Sequence, residues 1–449
     1  MNLAGLEASL DEELRSRNTP LQAVFELASA IEVANEGYAK RLTSLFIRSS
    51  QGAFVEDYSG NRYLDTSLGM GTHIFGHGFI DEVIGGQMKT GTLLGAPSAM
   101  PYEVAGAIHE IIPHFNRFVF CNSGAEATMR AVRIARALRH KPKIALFSGG
   151  WHGGSDVLLF EDNPASPQDH PQAMFKSAGV PEELRDTVIL LPYNSSVAFD
   201  IIKSHVHELA LVIIEPSQGS NPRADMAGFL SELREVTERN GVLLCFDEIV
   251  TGFRIAAGGC QEFYRIKADM ATYGKTIGGG LPVGVVATRA EILDDVTVNA
   301  RGVQQVFLGG TFSANPLVMH VAKAVLGRLS QRREAIYSDL NRRGQELRDK
   351  VNQFCIEHAI PARMMGIGSI NRILFTAKKV KSRRDRDNCE SEKQVQNAFF
   401  KYLLLEHGIF VNKNRVLFLS TLHDDEVIRT LAQSLNFSLD FFWGSSFPR

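Results

Sequence analysis

Six short apolar runs constrain this chain more than any other feature. They lie at 118–121, 144–147, 188–191, 211–214, 242–246 and 283–287, each four or five residues long and without polar alternation. Runs of that kind, bounded by glycines and polar residues, are the pattern of strands covered on both faces. Helical spacing returns between them, as at 125–139, where Met129, Val132, Ala135 and Leu138 share a face, and again at 229–239. Strands and helices in alternation argue an α/β fold, a largely parallel sheet sheathed by helices, from about residue 71 to 326.

The flanks read differently. Residues 1 to about 50 have a helical pattern, with Leu21, Val24, Phe25 and Leu27 near one face. GAFVEDYSGNRYLD (52–65) reads as a hairpin turning at Ser59, Gly60 and Asn61. Towards the C-terminus the pattern becomes long amphipathic helices with short strands at 372–375 and 416–419, which suits a smaller α+β domain. A chain of 449 residues is long enough for such lobes. The expected division is 1–70 (a helix and hairpin bordering an entrance), 71–326 (the large domain) and 327–449 (the small one).

Composition excludes several function classes. A formal net charge of −2 gives no electrostatic case for nucleic acid or an anionic membrane. The densest charge run, KKVKSRRDRD at 378–387, is short and mixed in sign and reads as an exposed loop. Cys121, Cys245, Cys260, Cys355 and Cys389 are scattered, with no CxxC or His/Cys cluster, so reduced thiols are expected and no metal site. The N-terminal residues lack the apolar stretch of a secretory leader, and no apolar run is long enough to span a bilayer. The expected location is the cytoplasm.

Chemistry concentrates where the 242–246 run ends in Asp247 and Glu248. Twenty-eight positions on (275 − 247) stands Lys275, followed by Gly278, Gly279 and Gly280. A lysine can form a Schiff base with an aldehyde cofactor, and an acid at a strand end can keep a pyridine nitrogen protonated. Glycines admit a flat cofactor close to the backbone. Taken alone, the acids also fit a plain loop start and the lysine a solvated side chain.

Four further motifs follow strand-like runs. CNSGAEAT (121–128) joins a strand to a helix, where small residues let helix amides face an anion; Ser123 and Glu126 equally suit a capping box. GWHG (150–153) offers Trp151 to stack on a ring, with His152 beside it. LVIIEP (211–216) puts Glu215 at a strand end, able to order a site or pair with a base. LGGTFSANP (308–316) places Thr311 in a turn whose Asn-Pro begins a helix.

Together FDEIVTGFR (246–254) and YGKTIGGGLPVG (273–284), with these motifs, resemble the class III pyridoxal 5'-phosphate (PLP) aminotransferases of fold type I, nearest the glutamate-1-semialdehyde 2,1-aminomutase group. The resemblance runs from about Ala53 to the C-terminal helix. It implies PLP carried by Lys275, its ring nitrogen on Asp247 and its phosphate on Ser123, Gly124 and Ala125. It places Trp151, where the family usually has Tyr or Phe, and His152 beside the ring, with Glu215 near. Thr311 would reach the phosphate of a neighbouring subunit, making a homodimer with shared sites. The substrates would be a small amine and a carbonyl compound. An intramolecular aminomutase is the alternative reading, and a non-catalytic protein on the same fold a third.

The resemblance breaks at the carboxylate clamps. Phe418 stands where many relatives have an arginine in a C-terminal strand, and Asn35 falls near the aminomutase's own arginine. Met70 replaces its tryptophan. A buried carboxylate without a partner is costly, so a substrate with no carboxylate on the reacting carbon is expected, Phe418 offering an apolar wall. Arg48, Arg363 or Arg415 would be the substitute clamps.

Overall fold

The computed structural model describes residues 2–21, 45–297, 305–390 and 393–444. A helix, Leu3–Arg17, opens the chain. Strands β1 (Ile47–Gln51), β2 (Phe54–Asp57) and β3 (Arg62–Asp65) follow as an antiparallel meander. The hairpin around Gly60 is as expected, with Phe54 opposite Leu64. The helical reading of the first 50 residues fails at β1, whose residues Arg48 to Gln51 are exposed and pair along one edge of β2. Val24, Phe25, Leu27 and Asn35 lie outside the described residues.

The large sheet is built from β4 (Arg117–Cys121), β5 (Lys143–Phe147), β8 (Val188–Leu191), β9 (Leu209–Ile214), β10 (Leu243–Asp247), β11 (Met270–Gly274) and β12 (Gly284–Thr288). A small hairpin, β6 (Phe160–Asp162) with β7 (Ala173–Phe175), lies between β5 and β8 in the chain. The order across the large sheet is β4-β12-β11-β10-β9-β5-β8, and only β12 runs antiparallel to its neighbours. Every residue of β9, β10, β11 and β12 is buried, which is why these strands read as continuous apolar runs. Their side chains divide with a period of two between two cores. Val212, Leu244, Phe246 and Val285 enter one, and Leu211, Leu243, Cys245 and Val286 the other.

The C-terminal part carries the long helix Arg333–Glu357 and a second small sheet of β13 (Arg363–Ile367), β14 (Ile370–Leu374) and β16 (Val416–Phe418). Strand β15 (Ile409–Phe410) instead joins the N-terminal meander, parallel to β3. The charge run at 378–387 is not simply an exposed loop. From Ser382 it caps and forms the helix Arg383–Cys389, and Arg386 is buried. Its arginines donate to backbone carbonyls of the large-sheet part: Arg383 to Gly149 and Arg384 to Pro164. The run reads as solvated because alternating charge hides carbonyl acceptors supplied from more than two hundred residues away.

Candidate active site

The carboxyl ends of β4, β5, β9, β10 and β11 point the same way, and the residues just past them carry the candidate chemistry. In an open parallel sheet, this is where ligands bind. A cavity of about 490 Å³ lies there. Ser123, Gly124, Ala125, Trp151, His152, Glu215, Asp247 and Lys275 all line it.

Asp247 ends β10 and is buried. Its Oδ1 accepts from Thr272 Oγ1 at 3.0 Å and from the Ile249 amide at 3.2 Å. Its Oδ2 meets His152 Nδ1 at 2.7 Å. Burial opposes a charge on His152, but the hydrogen bond and charge of Asp247 outweigh it, so the imidazole pKa moves up. The other ring nitrogen, Nε2, is buried and has no partner among the described residues. Glu248 turns away from this cavity. Its carboxylate accepts from the Cys260 amide at 2.7 Å, the Gln261 amide at 3.1 Å and Thr251 Oγ1 at 2.8 Å, and burial pushes its pKa up to about 7.

Glu215 is braced by two backbone donors, Trp151 N at 2.9 Å and Gly219 N at 2.8 Å. Burial raises its pKa, and His152 draws it partly back. Lys275 follows β11 with φ 43°, a left-handed conformation unusual for a side chain with a Cβ. Burial lowers its pKa, against the pull of Asp247 and Glu215. A lowered amine pKa favours the neutral, nucleophilic form.

Ser123 caps the helix Gly124–Arg139, its Oγ accepting from Glu126 N at 3.1 Å. Glu126 reaches back to the Asn122 amide at 3.3 Å rather than to that of Ser123, so the capping box is offset by one residue. The amides of Gly124 and Ala125, in the first turn, have no acceptor within the helix, and both residues line the cavity. Packing fixes this turn tightly. A Cβ on Gly153 would stand 2.5 Å from that of Ala125, and one on Gly284 would stand 2.1 Å from the Ser123 carbonyl oxygen.

Trp151 lines the mouth at 46% exposure, with Lys176 Nζ 4.6 Å from its ring centroid. Thr311 is exposed and does not line the cavity of its own chain. It borders a separate cleft of about 890 Å³ with Leu93, Leu94 and Asn315.

Phe418 is not a wall of the cavity. It is buried among Leu68, Ile255 and Ile370, its ring against Gly71, where a Cβ would stand 2.7 Å away. Arg254 stacks on it at 5.4 Å and donates to the carbonyls of Gly71 at 2.8 Å and Leu419 at 2.9 Å. Leu68, Gly69, Met70 and Gly71 all have positive φ, a left-handed turn that delivers Thr72 to the cavity. For Leu68 and Met70 that conformation costs roughly 1–2 kcal/mol each. None of the three substitute arginines lines the cavity: Arg48 lies on β1, Arg363 borders another cleft, and Arg415 bonds Asn397 and Gln396. Sequence reasoning missed the Asp247–His152 contact and the support from Thr272. The only signal for either was a polar residue beside a strand end.

The residues present fit PLP. A helix terminus with free amides suits a phosphate, a buried carboxylate suits a protonated ring nitrogen, and a lysine of lowered pKa shares their cavity. That combination on a mostly parallel sheet marks an enzyme of PLP-dependent amine chemistry. The chain belongs to aminotransferase class III, whose family model matches residues 35–429. A glutamate-1-semialdehyde 2,1-aminomutase of Persephonella marina is 37% identical over 405 residues, covering 89% of this chain and 91% of that protein. Among solved structures, a β-phenylalanine aminotransferase from Variovorax paradoxus shares 28% identity at a TM-score of 0.85, over 100% of this chain and 99% of that one. A transaminase with PLP bound shares 26% at 0.80, over 94% and 97%. The chain is a PLP-dependent enzyme of amino-group transfer, an aminotransferase or an aminomutase.

Proposed function

We propose that this enzyme is an intermolecular aminotransferase, and that at least one substrate has no carboxylate on the reacting carbon. The carrying observation is the charge of the cavity. Glu215 and Asp247 are its carboxylates, Lys275, the cofactor's lysine, is its one basic amine, and no arginine lines it among the described residues. A carboxylate held close to two buried acids without a guanidinium would be disfavoured.

PLP, when bound, supplies an electron sink for the bond that breaks at the substrate carbon. The chain's own residues do the rest. Ser123, Gly124 and Ala125 hold the phosphate on backbone donors. Asp247 keeps a proton on the ring nitrogen, and His152 and Thr272 hold its carboxylate in place. Trp151, at the mouth, would cover a ring bound there and limit water. Lys275 carries the cofactor and, once released, moves the proton at the reacting carbon. Glu215 steadies the Trp151 backbone through its amide.

A homodimer belongs to the same reading, with Thr311 lent to the partner's phosphate site. Supporting it, Thr311 lies outside its own cavity beside exposed apolar side chains: Leu94 is 50%, Phe312 58% and Tyr102 78% exposed. The division at 1–70, 71–326 and 327–449 is also part of this reading, and the pairing of β3 with β15 ties the first part to the last. A cytoplasmic location is supported by five free cysteines. No described helix is long and apolar enough to cross a membrane.

The experiment compares matched donors, an α-amino acid against its decarboxylated amine, following loss of the cofactor's visible band. Preference for the amine supports the proposal; preference for the acid in every pair overturns it. The aminomutase relative at 37% identity favours a second reading, intramolecular transfer. Turnover of glutamate-1-semialdehyde by enzyme in its pyridoxamine form, with no second substrate, would establish that one.

A further inference from the structure

A second cleft, of about 840 Å³, is bordered by residues 223–225, a few positions after Glu215. The C-terminal half of the helix Arg333–Glu357, strand β13 and residues 377–380 form its walls. Its cations are Arg223, Arg348, Arg363 and Lys379, against one acid, Asp225. Arg223 already holds that acid through two bonds, Nε to Oδ1 at 2.6 Å and Nη2 to Oδ2 at 2.7 Å. The local charge is therefore strongly positive.

Two of these arginines lack an anionic partner. Arg348 is 8% exposed, and its acceptors are all neutral: the Gly368 carbonyl, Asn371 Oδ1 and Gln345 Oε1. The Arg363 side chain makes no hydrogen bond or ion pair among the described residues, and its Nε is buried without an acceptor. Burial lowers its pKa, Arg223 repels it and Asp225 attracts it, but neither neighbour is bonded to it. A buried guanidinium donor without an acceptor is costly, and a bound anion removes that cost.

Apart from Gln345 and Asn352, the rest of the lining is apolar. Ile360, Met364 and Val380 are buried at the wall, while Ile356 stands at the rim, 75% exposed. A volume of this size suits a small molecule rather than an ion. We propose that this cleft binds a small amphiphilic carboxylate, its head on Arg363 and its apolar body against Ile356, Met364 and Val380. The site is separate from the PLP cavity and shares no lining residue with it. The two are joined through the backbone: Arg223 N donates to Ser217 Oγ at 3.0 Å, and Gly219 N to Glu215 at 2.8 Å.

The test is calorimetric titration of the holoenzyme with octanoate, after aminooxyacetate has blocked the PLP cavity. Octanamide and inorganic phosphate serve as the uncharged and the headgroup-only probes. Octanoate is expected to bind with a sub-millimolar Kd, and both comparison probes at least about tenfold more weakly. Arg363→Gln should weaken octanoate by about tenfold or more, since a charge-assisted hydrogen bond is lost. Ile356→Glu, a change at an exposed rim position, should weaken it similarly through like charge. Transamination by both variants should be unaffected. Absence of octanoate binding up to 10 mM (~10-fold above the weak end of the expected range), or equal binding by wild type and both variants, overturns the proposal. Phosphate binding as tight as octanoate would also overturn it, since the apolar wall would then contribute nothing.

Discussion

Replacing Gly284 by alanine tests how tightly the anion-facing turn is built. Gly284 lies in β12 opposite Cys121 of β4, directly under the turn at Ser123. An added Cβ would stand 2.1 Å from the Ser123 carbonyl oxygen, 2.7 Å from its carbonyl carbon and 2.8 Å from Cys121 Sγ. Ordinary contact needs roughly 3.3 Å or more, so the turn must retreat by about 1 Å. No rotamer can absorb this, because the obstacle is backbone. Overpacking of that kind costs about 1–3 kcal/mol. Moving the Gly124 and Ala125 amides by about 1 Å should also lose at least one bond to the cofactor phosphate, or about 1.5–3 kcal/mol. The expected result is a PLP Kd raised at least about tenfold, with a lower unfolding midpoint. PLP titration of the apoprotein well below that midpoint separates the two effects. Gly228→Ala is the control, since its Cβ meets nothing within 4 Å. If Gly284→Ala kept both the PLP affinity and the midpoint of the wild type, the turn would not be the phosphate site.

Lys275→Ala should abolish turnover, and borohydride should no longer fix PLP to the chain; full activity would end the assignment. Asp247→Asn should slow proton abstraction by about a hundredfold or more while PLP binding falls less, as single-turnover absorbance would show. Thr311→Ala should weaken PLP binding while the chain still folds, and light scattering should give the mass of two chains; one chain's mass with full activity would refute shared sites. Glu248 gives a pH dependence. Its folded pKa of about 7 stands above the ordinary 4.5, so its contribution is fully present below 4.5 and is lost as pH rises through 7. The difference, 7 − 4.5, corresponds to about 3 kcal/mol, and Glu248→Gln should flatten that part of a urea-denaturation pH series.

Much of the fold was legible because the large sheet is buried on both faces. All six apolar runs became strands, since Val, Ile, Leu and Phe had no other way to be covered. Strand β11 escaped notice for the complementary reason. Its residues Met270, Ala271, Thr272, Tyr273 and Gly274 include no Val or Ile, and Thr272 and Tyr273 hide their hydroxyls by bonding to Asp247 and Gln261. The offset between the expected strand at 242–246 and the observed Leu243–Asp247 has a similar origin. Asp247 continues the strand because neighbours satisfy its carboxylate, whereas sequence alone treats an acid as a terminus.

The site divides along the same line. Glycines and a strand end made Lys275 and Asp247 candidates, and the family resemblance paired them; both line the one cavity. The resemblance put Asp247 rather than Glu248 at the ring; the residues by themselves did not say which of the two adjacent acids faces the cavity. Strand geometry sends successive side chains to opposite faces, so one of Asp247 and Glu248 had to turn away. The choice is made by distant donors: the Cys260 and Gln261 amides take Glu248, leaving Asp247 to His152 and Thr272. Gly259 belongs to this choice, since a Cβ there would stand 2.2 Å from the Glu248 carboxylate. A glycine eleven residues beyond the acid (259 − 248) thus keeps Glu248 in its own pocket. The acid that faces Lys275 is selected by the packing of the acid that does not.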